Sequence, residues 1–162
     1  MQRWATGRAI PLLVAAASAA LLLGAYLSQH VGGLAPCPLC LIQRYPHFVV
    51  FGLGIAAAIV AGGRARLVML VLCGLALLVG AGYGVYHSGV EQGWFASACA
   101  AQITPGSIED IRAQVMDGPL TRCDEVPWSL IGVSLAGWNA IASVIMAGVA
   151  LYGAVRLWKA GA

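Results

Sequence analysis

A bundle of four membrane-crossing helices, all-α and with a short amphipathic helix in its second outer loop, is the fold this sequence predicts. Three observations lead there. Of the 162 residues, 60% are hydrophobic and only 9% charged, with a mean hydropathy of +0.86, whereas soluble domains carry about 25% charged residues. The apolar residues gather into four stretches, at about 10–28, 39–61, 67–86 and 129–157, each near the roughly 20 residues that a bilayer requires. The charges are also segregated. Arg3, Arg8, Arg64, Arg66, Arg156 and Lys159 flank the stretches on one side, while Glu91, Glu109, Asp110, Asp117, Asp124 and Glu125 all fall in one loop on the other. Basic loops stay in the cytoplasm, so both termini and the Arg64 turn are expected inside, and the loops at about 29–38 and 87–128 outside. Little chain remains for anything else, and a single membrane domain over 1–162 is expected.

The first stretch follows Arg3 and Arg8, carries Pro11 near its start and ends in Ser28-Gln29-His30 before Gly32-Gly33. A secretory signal opens similarly, but its apolar region runs only about 7–15 residues. This longer one is expected to stay as the first span. The second stretch opens at Pro36-Cys37-Pro38-Leu39-Cys40. Its Pro46 cannot donate to the Ile42 carbonyl and should kink or loosen the helix beside the thiols. The third returns after Arg64 and Arg66 through Gly74, Ala76, Gly80, Ala81, Gly82 and Gly84, small residues that let helices pack closely in lipid. Cys73, in mid-span, reads as a small buried hydrophobe, and Tyr83, Tyr86 and His87 arrive at the outer interface. In the long outer loop Trp94 and Phe95 suit the headgroup region, and Ser107 with Asp110 marks a helix start. Ile108, Ile111 and Val115 then share one side, giving an amphipathic helix resting on the membrane surface or on the bundle itself. The last stretch is expected to open at Pro127-Trp128 and close at Trp158-Lys159, with Ser134, Trp138, Asn139 and Ser143 at helical spacing to bond neighbouring helices.

The chemistry lies in the cysteines. Cys37, Cys40, Cys99 and Cys123 all fall on the outer side, where an oxidising compartment would allow two disulfides. A C-x-x-C alone can be a redox pair, half of a zinc site or a staple. Cys40 at a helix opening would be favoured as a thiolate, and Arg44 and His47, at i+4 and i+7, come over the same face. A bridge between Cys99 and Cys123 would span an exposed long loop, the kind that exchanges readily with an attacking thiolate. One pair reachable from water and one tucked at the lipid boundary have the layout of a relay. The sequence has no haem attachment, nucleotide loop or iron–sulfur spacing to take electrons away. A lipid-soluble acceptor at Cys40 is then the simplest exit. A quinone suits it, with a fixed cation stabilising charge on the carbonyl oxygen; Arg44 is the cation and His87 a second donor. The competing reading is a four-thiolate zinc or purely structural site. Structural zinc ligands come in closely spaced knuckles, which the second pair lacks, so no metal is expected.

The strings Cys37-Pro38-Leu39-Cys40 with Gln43-Arg44, Tyr86-His87-Ser88-Gly89-Val90-Glu91, and Cys123-Asp124-Glu125-Val126-Pro127-Trp128-Ser129-Leu130 closely resemble the bacterial disulfide bond formation protein B family, DsbB. The resemblance covers all four helices and both outer loops. It implies an inner-membrane thiol:quinone oxidoreductase that reoxidises a periplasmic thioredoxin-fold partner, DsbA, with no nucleic-acid partner. It further implies that Cys99 is attacked by the partner's thiolate and that Cys123, its loop mate, exchanges with Cys37. The Cys40 thiolate then passes electrons to ubiquinone or menaquinone, and Arg44 and His87 match residues near the quinone. The vitamin K epoxide reductases share a similar four-helix quinone design but fit these strings less well.

Overall fold

In hydrocarbon a backbone satisfies its polar groups only as helix or closed barrel, and this chain takes the helical solution. The computed structural model describes residues 2–59, 62–96, 107–109 and 122–161. It holds α1 (Gln2–His30), α2 (Pro38–Ile42), α3 (Arg44–Ile59), α4 (Gly63–Glu91), a hairpin of β1 (Ser129–Leu130) and β2 (Val133–Ser134), and α5 (Leu135–Lys159). Four segments are long and apolar enough to cross a membrane, Gly7–His30, Pro38–Ile59, Gly63–Glu91 and Leu135–Lys159. The protein is an all-α, multi-pass membrane protein. Ile108 and Glu109 are helical; the rest of the amphipathic helix expected after Ser107 lies outside the described residues, as does Cys99.

α4 packs along α5 and α3, and α1 along α3. Their shared core gathers Val14, Val50, Leu70, Leu77 and Ala147 around the fully buried Cys73. Small residues set how close the rods come. A methyl group on Gly84 would lie 2.9 Å from Ala140 Cβ and 3.0 Å from the Ala136 carbonyl, and one on Gly54 would lie 2.9 Å from the Pro11 carbonyl. At the cytoplasmic end expected from the charge pattern, Arg66 is buried. Its Nε donates to the Ala57 carbonyl at 2.9 Å, meeting one of the carbonyls that the end of α3 leaves open.

The second span is broken as Pro46 predicts. α2 ends at Ile42, Gln43 forms a turn, and α3 begins at Arg44, because proline has no N–H to offer the Ile42 carbonyl. The last span departs from expectation: it begins at Leu135, not at Pro127-Trp128. Ile131 (φ 54°) and Gly132 (φ 75°) both take positive φ, the geometry of a type I′ turn, and pair Ser129–Leu130 with Val133–Ser134. Ser134 Oγ then accepts from the Gly137 N–H at 3.2 Å, so a serine cap rather than a proline opens the helix. Trp138 Nε1 donates back to the Leu130 carbonyl at 3.3 Å, holding the hairpin against the helix.

Candidate functional site

The short α2 exists to present two sulfurs. Cys37 is its N-cap, in extended conformation, and Pro38 follows with a φ suited to the first helical position. The helix therefore starts two residues earlier than the reading that put Cys40 at its opening. The sulfur that takes the favourable position is that of Cys37. It accepts the Cys40 N–H at 3.3 Å, and lies 3.1 Å from the Cys40 sulfur and 3.5 Å from His87 Nε2. These donors, the Cys40 thiol foremost and His87 after it, hold the Cys37 thiol well below its ordinary range against the opposing effect of burial. Cys37 and Cys40 are free thiols, while Cys123 is disulfide-bonded.

The two neighbours face different surroundings. Cys37 sits in a buried cluster with Leu39, Val90 and Cys123, and its sulfur, the Cys123 sulfur and a His87 ring nitrogen all lie within 4.8 Å of one another. Cys40 instead lines a cavity of about 290 Å³ between α1, the α2–α3 corner and the start of α5, with Leu21, Leu22, Leu34, Arg44, His47 and Asn139 among its other walls. Arg44 reaches across to α1, donating from Nη1 to Gln29 Oε1 at 2.9 Å, with its guanidinium 4.8 Å from the centre of the Tyr26 ring. A flat ring bearing two oxygens fits this lining. The walls are mostly apolar, a fixed cation stands at one side, and the buried His47 Nδ1 has no hydrogen-bond partner.

His87 is placed differently from the second donor to a quinone that the sequence suggests. It is absent from the cavity wall and serves Cys37 instead, because the outer turn of α4 packs behind the cysteine turn. Its Nδ1 meets Gln43 Nε2 at 2.8 Å, and its Nε2 lies 3.9 Å from the buried Glu91 carboxyl, which accepts from the Ser134 hydroxyl. Cys40, Arg44 and His47 share the cavity wall as their spacing predicts. Gln43 and Asn139 are the site residues that sequence reasoning missed as such. They link the cavity to the cysteine cluster, with Asn139 Nδ2 donating to Gln43 Oε1 at 2.8 Å and His47 Nε2 lying 2.9 Å from Asn139 Oδ1. Polar residues within an apolar span were the available signal.

Paired thiols, one against the disulfide-bonded Cys123 and one against an apolar cavity, define a membrane-embedded disulfide oxidoreductase. Comparison with known proteins gives the same class a family. The family model described as Disulfide bond formation protein DsbB matches residues 7–153. The chain is 31% identical over 168 residues to the Disulfide bond formation protein B of Stutzerimonas stutzeri, covering 95% of this chain and 98% of that one. It is 34% identical over 152 residues to that of Marinobacter nauticus, at 86% and 83% coverage, and 31% identical over 150 residues to that of Verminephrobacter eiseniae, at 86% and 80%. No solved structure matches. The chain belongs to the DsbB family and acts in disulfide bond formation.

Proposed function

We propose that the protein is a thiol:quinone oxidoreductase of the bacterial inner membrane, with both termini cytoplasmic. It reoxidises a periplasmic DsbA-like dithiol partner by disulfide exchange and delivers the electrons to ubiquinone or menaquinone. The observation that carries this reading is the division of labour within one helical turn: the Cys37 sulfur within 4.8 Å of that of Cys123, and Cys40 on the cavity wall beside Arg44.

In this reading Cys99 is the disulfide mate of Cys123 and takes the partner's thiolate, which releases Cys123. Cys123 attacks Cys37 in a Cys37–Cys40 disulfide, and Cys40 leaves as a thiolate on the cavity side. Resolution by the partner's second thiol restores the Cys99–Cys123 bridge and frees the oxidised partner. Cys37 and Cys40 then hold two electrons as free thiols, the state observed. A bound quinone would accept those two electrons together with two protons. Arg44 supplies a fixed positive charge where negative charge develops. Cys37, kept as a thiolate 3.1 Å from Cys40 Sγ, is placed to close the disulfide as Cys40 is oxidised. His87 holds that thiolate and screens it from the buried Glu91 carboxyl.

The test is anaerobic turnover of a reduced DsbA-like partner by the purified protein with a short-chain ubiquinone, following thiol loss and quinol together. One quinol per partner disulfide is expected. Thiol loss without quinol would overturn the reading.

A further inference from the structure

Of the buried side-chain polar atoms without a hydrogen-bond partner among the described residues, only His47 Nδ1 belongs to a residue that lines the cavity. His47 is 2% exposed, so water does not readily serve that atom, and a buried polar atom left unpaired is costly. What the atom can do depends on where the ring carries its proton, and the surrounding bonds decide this.

The decision starts at the Leu39 carbonyl, which can only accept. It lies 3.3 Å from one end of the Gln43 amide, so that end is the NH₂ group, and the other end is the oxygen. The oxygen requires a donor, which makes the facing end of Asn139, at 2.8 Å, its NH₂ group. Asn139 therefore turns its oxygen to His47, and His47 Nε2 must carry the hydrogen of that 2.9 Å bond. In the neutral ring, Nδ1 is then a pure acceptor. At the other end of the chain the same logic has Gln43 donating to His87 Nδ1 at 2.8 Å, which leaves the hydrogen on Nε2, facing the Cys37 sulfur at 3.5 Å. One backbone carbonyl thus polarises the whole path. The cysteine end donates and the cavity end accepts.

A quinone ring has two carbonyl oxygens and no hydrogen to give, whereas its reduced form carries two hydroxyl donors. Arg44, three residues before His47 and on the same helical face, can donate to either form. His47 Nδ1 can bond only to the reduced one. We propose that His47 is a specificity residue of the cavity, accepting a hydrogen bond from the hydroxyl of a bound hydroquinone and so making the site prefer the reduced ring. This rests on the quinone reading above. Preference for the reduced form makes the bound quinone a stronger oxidant of Cys40, by about 30 mV for each tenfold of preference.

The test measures binding, not turnover. The full chain carrying Cys37→Ser and Cys40→Ser, which cannot react with the ring, is placed in nanodiscs and titrated anaerobically with a decyl benzoquinone and with its hydroquinone. His47→Gln keeps a group at the Nε2 position for Asn139 but loses the Nδ1 acceptor; His47→Asn keeps one at the Nδ1 position. Expected is a preference for the hydroquinone that His47→Gln lowers about tenfold, the size of one buried hydrogen bond, with quinone affinity held within about threefold, and that His47→Asn largely restores. Equal affinity for the two forms before substitution, or parallel loss of both in His47→Gln, would overturn the role of His47 and leave the quinone site standing. Binding of neither form would overturn both.

Discussion

Replacing His87 with phenylalanine should make the Cys37–Cys40 pair a weaker oxidant. His87 Nε2 lies 3.5 Å from the Cys37 sulfur and favours the thiolate, which exists only in the reduced pair. A hydrogen bond to a charged group is worth roughly 1.5–3 kcal/mol, and about 1.4 kcal/mol corresponds to 30 mV for a two-electron couple, so the potential should fall by roughly 30–60 mV. The lower end is expected, because the Cys40 thiol and amide still donate to Cys37. The sign with pH follows from the lowered Cys37 acidity range. Stabilisation of the reduced pair is complete above the ordinary thiol range and is lost as pH falls through the lowered value. Between those limits reduction takes up one proton per two electrons, a slope of about 30 mV per pH unit rather than about 59. Redox titration of the purified protein against glutathione or dithiothreitol buffers, read by thiol alkylation from pH 5.5 to 8, gives both quantities. His87→Phe should steepen the slope towards two protons while lowering the potential. An unchanged potential and slope would refute the assignment of His87 to Cys37.

Three other outcomes are expected. Cys40→Ser should abolish quinol formation yet still form a mixed disulfide with the partner through Cys99, seen on non-reducing gels; retained quinol formation would contradict the placing of Cys40. Arg44→Met should raise the KM for quinone about tenfold or more, the loss of one charge-assisted bond, and leave kcat/KM for the dithiol partner within about twofold. Gly84→Ala should cost roughly 1–3 kcal/mol by forcing α4 and α5 apart, seen as a lower Tm, whereas Gly82→Ala, whose added methyl meets nothing within 4 Å, should leave Tm nearly unchanged.

The spans were legible in the sequence because a bilayer demands length and apolarity and little else, and the face of Cys40, Arg44 and His47 was legible because helical periodicity alone assigns it. The rotation of one span against another was not. Spans that are apolar all round carry no stripe to orient them, so nothing indicated that His87 would turn to Cys37 rather than to the cavity. The bond from Gln43 to Asn139 joins residues 96 positions apart, a pairing no local pattern encodes. The start of α5 misled for another reason. Ser129 to Ser134 reads as apolar chain continuing into the span, and only Gly132 hinted at the turn that also places Ile131, a β-branched residue, at φ 54°.

The break at Gln43 bears on how far atoms must travel. For the proposed exchange, two sulfurs within 4.8 Å of each other must close to about 2.05 Å, while one of them caps the end of a membrane span. A continuous helix would have to carry its whole length along or stretch its own hydrogen bonds. With Pro46 unable to bond the Ile42 carbonyl, the five residues of α2 meet the span through a single turn residue, and a small tilt of that turn supplies the displacement. Mechanical compliance is thereby concentrated at the cysteines, and the rod that carries Arg44 and His47 can stay still while the sulfurs change partners.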